Sequence, residues 1–506
     1  MTSSWLPVDL ALHLGAFLLV CYSCLKTRRE AVSTLMWIFV AWSFPIVGPL
    51  LYLFFGINRM PRKALYKQKA NRQLQAERQT RENISLPAAF LHSAHESLAR
   101  KLETENSFYL NRTFDRILPE TPLLSGNAIT PLVDGTQAYP AMLKAIKNAR
   151  HHIHLQTFII GNDEVGRQFL DSLAEKAKSG VSVRILFDRF GSAAAVLGGL
   201  MNDYGQIKNI KIGGWTQANL LKRQFQINMR NHRKIMVVDG TTAFVGGINL
   251  RNDNIARDKA GPHPAPRHNG DGTPAIRDYH FMIQGPVVHE LQYSFLSDWH
   301  FITEENPRTL LLPDHFPRQS PSGTALARMV NSGPTPNEME AIAKIFFECI
   351  NWARRELLVV TPYFVPSPDI LQSLKSAAMR GVDIRLLFPQ KNNHIYTGLA
   401  GNALYEELMA SGVRIFERKP PFMHAKALIA DGKVALVGSA NLDMRSLRLN
   451  YESNLLVFDD EFIRRLRAIV FDDFADSNEI NPDKWRRRPL WRKMVENGCY
   501  LMMPVL

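Results

Sequence analysis

Cysteine is scarce in this chain, with four residues among 506. Cys21 and Cys24 lie inside an apolar segment, where neither a redox pair nor a zinc site is plausible, and Cys349 and Cys499 stand alone. This usage excludes a disulfide framework of the kind found in small secreted domains.

Metal-ligand spacing is also missing, although the chain contains 15 histidines. Two groups are dense enough to consider: His263 with His268, and His151 with His152 and His154. Neither combines ligands at the intervals of known zinc sites, so we expect no metal and no cofactor. An array of stacking aromatics beside a basic groove is absent as well, which argues against nucleic acid as a partner.

The N-terminal region has no Lys or Arg in its first 25 residues, which disfavours a cleaved signal peptide. Leu10 to Leu25 is apolar apart from His13, and residues 31–56 carry no charge over 26 residues. A bilayer span needs about 20 such residues, so the sequence predicts a transmembrane helical hairpin over residues 1–58. Pro45, Gly48 and Pro49 leave a re-entrant path open for the second segment.

Positive charge is in excess: 61 Lys and Arg against 47 Asp and Glu give a net charge of +14. The expected neighbours are polyanions or an anionic membrane face. The connector between the two apolar segments carries Lys26, Arg28 and Arg29, and six basic residues follow the second segment: Arg59, Arg62, Lys63, Lys67, Lys69 and Arg72. This asymmetry predicts a multi-pass protein of the inner membrane with its body on the cytoplasmic side.

Two further segments are expected at the membrane surface. Residues 59–126 are predicted as a basic juxtamembrane helical segment, and residues 481–506 as a basic, aromatic C-terminal segment. The second mixes Trp and Arg between Trp485 and Lys493, which is typical of chains at headgroup level.

The body of the chain is a repeat. An apolar strand pattern at residues 152–158, a helical pattern at 170–180 and a second strand at 181–187 recur at 357–363, 370–380 and 382–388. Alternating strands and helices predict an α/β fold with mixed sheets, and the duplication predicts two tandem domains with a site at their interface. We assign the domains to 127–307 and 333–480, joined by a Pro- and Ser-rich linker at 308–332.

Each repeat ends in the same constellation of residues: His232, Lys234 and Asp239 followed by Asn249, and His424, Lys426 and Asp431 followed by Asn441. His and Lys two apart on a strand point to the same face. Two imidazoles and two ammonium groups in one cleft suit attack on a phosphodiester, which needs a nucleophile, an acid and cations. Asp-Gly before a second apolar run indicates a hairpin turn, so Asp239 and Asp431 are interpreted first as structural, with catalysis as the alternative.

The doubled His-x-Lys-x4-Asp signature resembles the phospholipase D superfamily over nearly the whole chain, and several stretches are similar to bacterial cardiolipin synthases. These stretches are residues 37–45, Gly48, 52–56, 231–234, 285–288, 362–366, 441–446 and 449–452. The resemblance implies that His232 becomes phosphorylated while His424 acts as acid and then base. It also implies that Glu452 orients the imidazole of His424 and that Asp278 does the same for His232, with structural ion pairing as the alternative for both.

One departure from the family pattern is an insert at 251–277, where an acidic pair normally follows the Asn and Asp253-Asn254 only half matches it. The resemblance implies transfer of a phosphatidyl group between two molecules of phosphatidylglycerol, an anionic phospholipid, to give cardiolipin and glycerol. The alternatives are a hydrolase (a phospholipase D or a nuclease), a phosphatidyltransferase using phosphatidylethanolamine, and a non-catalytic membrane scaffold. The sequence does not determine the oligomeric state.

Overall fold

The computed structural model describes residues 6–26, 31–56, 60–81, 105–215, 229–255, 275–335, 338 and 340–502. The chain divides into two compact units, Met1–Tyr66 and Lys67–Leu506. The second unit contains both sequence repeats.

The first unit is a helical pair. Helix α1 (Leu6–Lys26) packs against α2 (Ala31–Ser43), and a short α3 (Val47–Leu51) and a π-helical turn (Tyr52–Gly56) follow. The Tyr52 hydroxyl donates a hydrogen bond of 2.7 Å to Ser23 Oγ. The first helix of the uncharged second segment therefore ends at Ser43, two residues before Pro45, and the next helix begins at Val47.

The predicted hairpin of helices thus forms, but its transmembrane character is not confirmed. Within the described part of the chain, no helix has both the length and the apolarity required to cross a membrane.

A single 15-stranded mixed sheet forms the framework of the second unit. Its order is β19-β13-β12-β10-β15-β16-β18-β9-β1-β8-β6-β5-β2-β3-β4. The strands of the first half are β1 (Leu124–Val133), β2 (His152–Thr157), β3 (Ser182–Asp188), β4 (Ile210–Trp215), β5 (Ile235–Val238), β6 (Thr242–Gly246) and β8 (Tyr279–Gln284). Those of the second half are β9 (Ala325–Ser332), β10 (Glu356–Val360), β12 (Asp383–Pro389), β13 (Arg414–Arg418), β15 (Ala427–Ala430), β16 (Val434–Gly438), β18 (Glu452–Phe458) and β19 (Ser477–Glu479).

The order of the sheet is symmetric about its centre. The pair β9 and β1 is antiparallel, and β8-β6-β5-β2-β3-β4 on one side corresponds to β18-β16-β15-β10-β12-β13 on the other. Two two-stranded sheets add contacts: β14 (Phe422–Met423) with β7 (Ile276–Arg277), and β11 (Phe364–Val365) with β17 (Leu442–Asp443). The predicted α/β fold with two similar halves is confirmed, and the halves share one sheet.

Helices cover the faces of this sheet. In the first half they are α5 (Glu105–Ile117), α6 (Asp134–Asn148), α7 (Glu164–Lys178), α8 (Ala193–Leu197), α9 (Leu200–Gly205), α10 (Val288–Thr303) and α11 (Pro307–Leu310). In the second half they are α12 (Ala341–Trp352), α13 (Pro368–Met379), α14 (Ile395–Ala410), α15 (Met444–Arg448), α16 (Asp460–Ala475), α17 (Pro482–Arg486) and α18 (Leu490–Leu501). Strands β5, β15 and β16 are apolar and buried along their whole length, as expected for strands packed on both faces, whereas β1, β4 and β19 are only partly buried.

Two predicted boundaries differ from the elements of the structure. The assigned linker 308–332 ends in β9, a buried strand at the centre of the sheet, because its last eight residues supply the partner of β1. The first half likewise begins at Leu124 rather than at residue 127. The short elements between Pro307 and His315 are the part of the assigned linker that connects the halves.

The basic segment after the apolar N-terminus also differs from its prediction. Helix α4 (Met60–Gln79) contains Lys67, which is fully buried and pairs with Asp298 at 2.8 Å. Arg78 pairs with the buried Glu290 at 2.6 Å. These two charges therefore bind carboxylates of the protein, whereas Lys69 and Arg72 of the same helix are exposed.

Candidate active site

The two His-x-Lys motifs lie immediately before equivalent strands. His232 and Lys234 precede β5, whereas His424 and Lys426 stand between β14 and β15. The pKa values of these groups depend on one another across the repeats: Lys426 lowers the pKa of His232, and Lys234 lowers that of His424. The two motifs therefore lie close enough to affect each other's protonation, as expected if both belong to one site.

His232 is held by the second half of the sheet. Its backbone N–H donates to the carbonyl of Tyr451 at 2.9 Å, and Tyr451 in turn donates to the carbonyl of Arg230. This pairing sets His232 beside the residue that follows Tyr451. The imidazole Nδ1 lies 2.9 and 3.0 Å from the carboxylate oxygens of Glu452, which is fully buried.

His424 is held by the first half in the same way. Its backbone N–H donates to the carbonyl of Arg277 at 2.7 Å, which continues the parallel pairing of β14 with β7. Its Nδ1 lies 2.7 Å from the buried Asp278 Oδ2. A carboxylate at Nδ1 fixes the proton there and leaves Nε2 free to react.

The expected pairing of carboxylates and histidines is therefore wrong. Glu452 holds His232, and Asp278 holds His424, so each carboxylate serves the histidine of the other repeat. The reason is the central position of β18 and β8 in the sheet. Glu452 is the first residue of β18, and the pairing at Tyr451 brings it to the first half. Asp278 directly precedes β8, and the pairing at Arg277 brings it to the second half. Spacing along the chain cannot reveal this exchange.

Additional hydrogen bonds fix Glu452. Ser439 Oγ donates to Oε2 at 2.5 Å and Ser446 Oγ donates to Oε1 at 2.9 Å. In the first repeat the position of Ser439 is taken by Gly247, where a Cβ would lie 2.1 Å from Asp278 Oδ1. A glycine is required there because the shorter Asp278 packs directly against the backbone. The equal offset of Gly247 and Ser439 from the two histidines could have identified these positions.

The four cationic and imidazole groups have depressed pKa values. Burial lowers the pKa of Lys234 to about 7 and that of Lys426 to about 8. Burial, together with Lys426, lowers the pKa of His424 to about 4, and burial lowers the pKa of His232 despite Glu452. At neutral pH both imidazoles are therefore neutral, as a nucleophile requires.

Both carboxylates are ionised in this setting. Burial by itself would raise the pKa of both carboxylates. For Glu452 this effect is outweighed by His232, Lys234 and Ser439, and for Asp278 it is outweighed by Lys426 and His424, so both pKa values lie below their usual range. The Lys234 ammonium donates to the carbonyl of His232 at 2.7 Å, and Lys426 Nζ contacts the carbonyl of His424. Each lysine thus lies beside its own histidine, where it can bind a phosphoryl oxygen.

The remaining predicted residues divide into two groups. Asn249 and Asn441 are buried at the ends of the equivalent loops, and Asn249 Oδ1 accepts the backbone N–H of Ile159 at 3.2 Å. Asp239 and Asp431 have φ of 51° and precede Gly240 and Gly432, with φ of 62° and 64°, which is the backbone of a hairpin turn.

The aspartates of these turns bind the backbone of a neighbouring strand. Asp239 accepts three N–H groups, from Arg150, His151 and His152, and Asp431 does the same for residues 354–356. They lie at the far end of β5 and β15 from the histidines. The structural interpretation agrees with this geometry, and the catalytic alternative finds no support in it.

Arg233, between the two reactive residues of the first motif, has a role that the sequence did not indicate. Its side chain points away from His232 and is fully buried, with bonds to Asp298 at 2.9 Å, Glu338 at 3.2 Å and the carbonyl of Glu452 at 3.2 Å. The alternation of side chains along an extended chain could have predicted its direction, but the partners are distant in sequence.

The histidine clusters do not form a metal centre in the described part of the chain, where no group of metal-binding side chains is assembled. His152 and His154 pack against His315, with ring centroids 4.7 and 5.0 Å apart, and Gln292 bonds to both. His263, His268 and residues 256–274 of the insert lie outside the described residues.

Family models match both repeats and the N-terminus. The description "Cardiolipin synthase, PLD-like domain" fits residues 142–259 and 346–473, and "Phospholipase_D-nuclease N-terminal" fits residues 15–56. The chain is 34% identical to "Cardiolipin synthase 2" of Bacillus anthracis over 97% of its own length and 90% of the relative's. It is 30% identical to "Major cardiolipin synthase ClsA" of Bacillus subtilis over 95% of both chains.

A solved structure has the same fold. Phosphatidylserine synthase of Haemophilus influenzae superposes with a TM-score of 0.58 at 13% identity, covering 79% of this chain and 100% of that one.

The exchanged carboxylates generate a prediction about leaving groups. If His424 supplies the proton to the leaving alkoxide, Asp278→Asn impairs that proton transfer, whereas Glu452→Gln impairs His232. We expect both variants to lose about 100-fold or more in kcat/KM with an alkyl phosphodiester donor. With a donor that leaves as p-nitrophenolate, Asp278→Asn recovers most of its rate and Glu452→Gln does not. Recovery of Glu452→Gln alone would mean that His232, rather than His424, protonates the leaving group.

The lysine pKa values generate a prediction about pH. As pH rises through 7 to 8, Lys234 and Lys426 lose the charge that binds the phosphate, so kcat/KM of the free enzyme falls. We expect a decrease of about tenfold for each ammonium lost. Lys234 has the lower of the two pKa values and so sets the start of the alkaline limb. Lys234→Arg keeps its charge over this range, so the alkaline limb of this variant should begin at higher pH, near the pKa of Lys426. An alkaline limb unmoved by arginine at both positions would show that other groups titrate.

Proposed function

The chain belongs to the bacterial cardiolipin synthases of the phospholipase D superfamily, and from this premise we propose that it transfers a phosphatidyl group between two phosphatidylglycerol molecules. It is a phosphatidyltransferase by membership of this family. The proposed products are cardiolipin and glycerol. The observation that carries the proposal is the pair of neutral imidazoles, each fixed by a buried carboxylate and flanked by a lysine.

In the first half-reaction His232 is the nucleophile. Glu452 holds the proton on Nδ1, so the lone pair of Nε2 attacks phosphorus and a P–N bond forms. The P–O bond to the headgroup glycerol breaks, and His424 gives its proton to that oxygen. Lys234, Lys426, Asn249 and Asn441 bind the phosphoryl oxygens on which charge accumulates.

Substrate binding allows His424 to take up a proton from solvent. In the free enzyme burial and Lys426 keep the pKa of His424 at about 4. A phosphodiester anion bound beside it neutralises the lysines and raises that pKa, which allows the imidazole to be protonated when it is needed.

In the second half-reaction a glycerol hydroxyl of another phosphatidylglycerol attacks the phosphohistidine. His424 now removes the proton of that hydroxyl, the P–N bond breaks, and His232 is restored. One phosphodiester is broken and a similar one is made, so neither nucleotide nor metal is needed to drive the reaction.

The alternatives differ in the acceptor. Water as acceptor would make the chain a hydrolase, and phosphatidylethanolamine as donor or acceptor would make it a related transferase. The family membership favours the synthase, and two intact motifs disfavour a non-catalytic scaffold.

We also propose that the protein acts at the inner membrane with the body on the cytoplasmic side. The support is the apolar outer surface of α1 and α2, which exposes Leu10, Leu18, Leu35, Phe39 and Trp42. The six basic residues after the second apolar segment, against three in the connector, give the direction.

Glycerol exchange tests the chemistry. With pure phosphatidylglycerol in detergent and a chelator present, we expect cardiolipin to form and labelled glycerol to enter phosphatidylglycerol, because the covalent step is reversible. His232→Ala should abolish both, whereas His424→Ala should still form acid-labile phosphohistidine from an activated donor. Phosphohistidine that persists in His232→Ala and disappears in His424→Ala would reverse the roles, and absence of exchange in the intact enzyme would exclude the covalent route.

Cysteine labelling tests the topology. The probe is Ser179→Cys, at an exposed position after α7. We expect an impermeant maleimide to leave this cysteine unlabelled in intact cells and to label it after the membrane is opened. The parent chain, whose Cys349 and Cys499 are buried, is the control. Labelling in intact cells would place the body outside.

A further inference from the structure

The C-terminal helix α18 (Leu490–Leu501) exposes an apolar face. Its outward side chains are between 46% and 81% exposed: Leu490, Trp491, Met494, Val495 and Leu501, with Met502 at the end of the helix. Their spacing of three, four and seven positions places them along one stripe. A stripe of this kind normally faces a protein core.

The inward face of α18 is charged. Glu496 is fully buried and accepts hydrogen bonds from Arg488 and Arg492, each at 3.0 Å, and Lys493 donates to Glu406 at 3.1 Å. A surface helix of a soluble protein has the opposite arrangement, with its charges outside and its apolar residues inside. The helix is therefore inverted: ion pairs, together with Cys499 and the half-buried Tyr500, attach it to the protein, while its large apolar stripe faces outward.

Exposed basic side chains precede this stripe in the chain. Lys484, Arg486 and Arg487, in and directly after α17, are exposed. Trp485 beside them is packed inward against Tyr405, with ring centroids 5.0 Å apart, so this tryptophan of the predicted surface segment contacts the protein. Of the two tryptophans Trp485 and Trp491, Trp491 faces outward.

The inverted helix is connected to the rim of the active site. Its end packs through Cys499 against Ala400 of α14 and Val365 of β11. Val365 lies two residues after Tyr363, whose ring centroid is 6.2 Å from that of His424. At the start of α14, Ile395 and Tyr396 are also exposed.

The first half of the sheet has a corresponding apolar rim. The segment after β3 exposes Phe190 and Leu197, as the segment after the equivalent β12 exposes Ile395 and Tyr396. Phe190 stacks on Arg230, at 4.2 Å, two residues before His232. Exposed apolar residues therefore border both reactive histidines.

We propose that α18 lies in the interface of an anionic phospholipid bilayer and thereby holds the rim of the active site against the lipid. This inference rests on the proposed phospholipid substrate. The occupant is a bilayer rather than a second copy of the chain, because two copies joined through this stripe would bring their Lys484, Arg486 and Arg487 together, whereas an anionic membrane attracts them. The apolar stripe supplies insertion and the basic residues supply orientation.

The test places a reporter on the stripe of the full-length chain. Met494→Cys, in a background with Cys21 and Cys24 replaced by Ser, is labelled with a fluorophore and reconstituted into phosphatidylglycerol vesicles that carry nitroxide-labelled lipid. Met379→Cys is the matched control, since both methionines lie on helices and are exposed to 66% and 70%. We expect quenching at position 494 and none at position 379. Equal fluorescence with and without nitroxide at position 494 would overturn the proposal, as would cross-linking of position 494 between copies.

An activity comparison separates this proposal from the proposed function. Leu490→Gln combined with Met494→Gln should lower activity on vesicles by about tenfold, because two apolar side chains no longer enter the lipid, while activity in detergent micelles stays within about twofold. Met379→Gln should change neither. Equal losses in vesicles and micelles would overturn docking by α18. Quenching at position 494 in a chain that makes no cardiolipin in either medium would refute the proposed function and leave the membrane contact in place.

Discussion

Each reactive histidine is oriented by a buried carboxylate from the other half of the sheet. Glu452 fixes His232 at 2.9 Å and Asp278 fixes His424 at 2.7 Å. A carboxylate buried without a charged or hydrogen-bonding partner is strongly disfavoured, so both pairs form only when the two halves are joined. The central strands β1, β9, β8 and β18 keep them joined, and the site is therefore a product of the shared sheet rather than of either repeat.

The same arrangement extends behind the site. Because His232 and Lys234 point to one side of the chain, Arg233 points to the other and meets Asp298, which also pairs with Lys67 of α4. Three buried charges and the carbonyl of Glu452 are thereby connected in one network. The network attaches the backbone of the first motif both to the helix after the apolar N-terminus and to the strand that carries the orienting carboxylate.

The electrostatics of the site agree with its proposed substrate. Burial keeps both imidazoles neutral and lowers the lysine pKa values, so the empty site holds less positive charge than its residues suggest. In the proposed mechanism, an anionic phosphodiester reverses these shifts on binding. The proposed membrane contact of α18 would bring the apolar rim to the lipid, so that the acyl chains stay in the bilayer while the headgroup enters the cleft.

The sequence by itself determined the duplication, the α/β layers, the two His-x-Lys pairs and the Asp-Gly turns, because all of these are local: periodicity, residue spacing and turn chemistry are properties of short stretches. It also indicated Glu452 and Asp278 as orienting residues. Only the tertiary structure decided which histidine each one serves, that residues 325–332 form a central strand, and that Lys67 is buried. These depend on strand order across the whole sheet, and that order is set by packing between residues as far apart as His232 and Glu452, which no local pattern encodes.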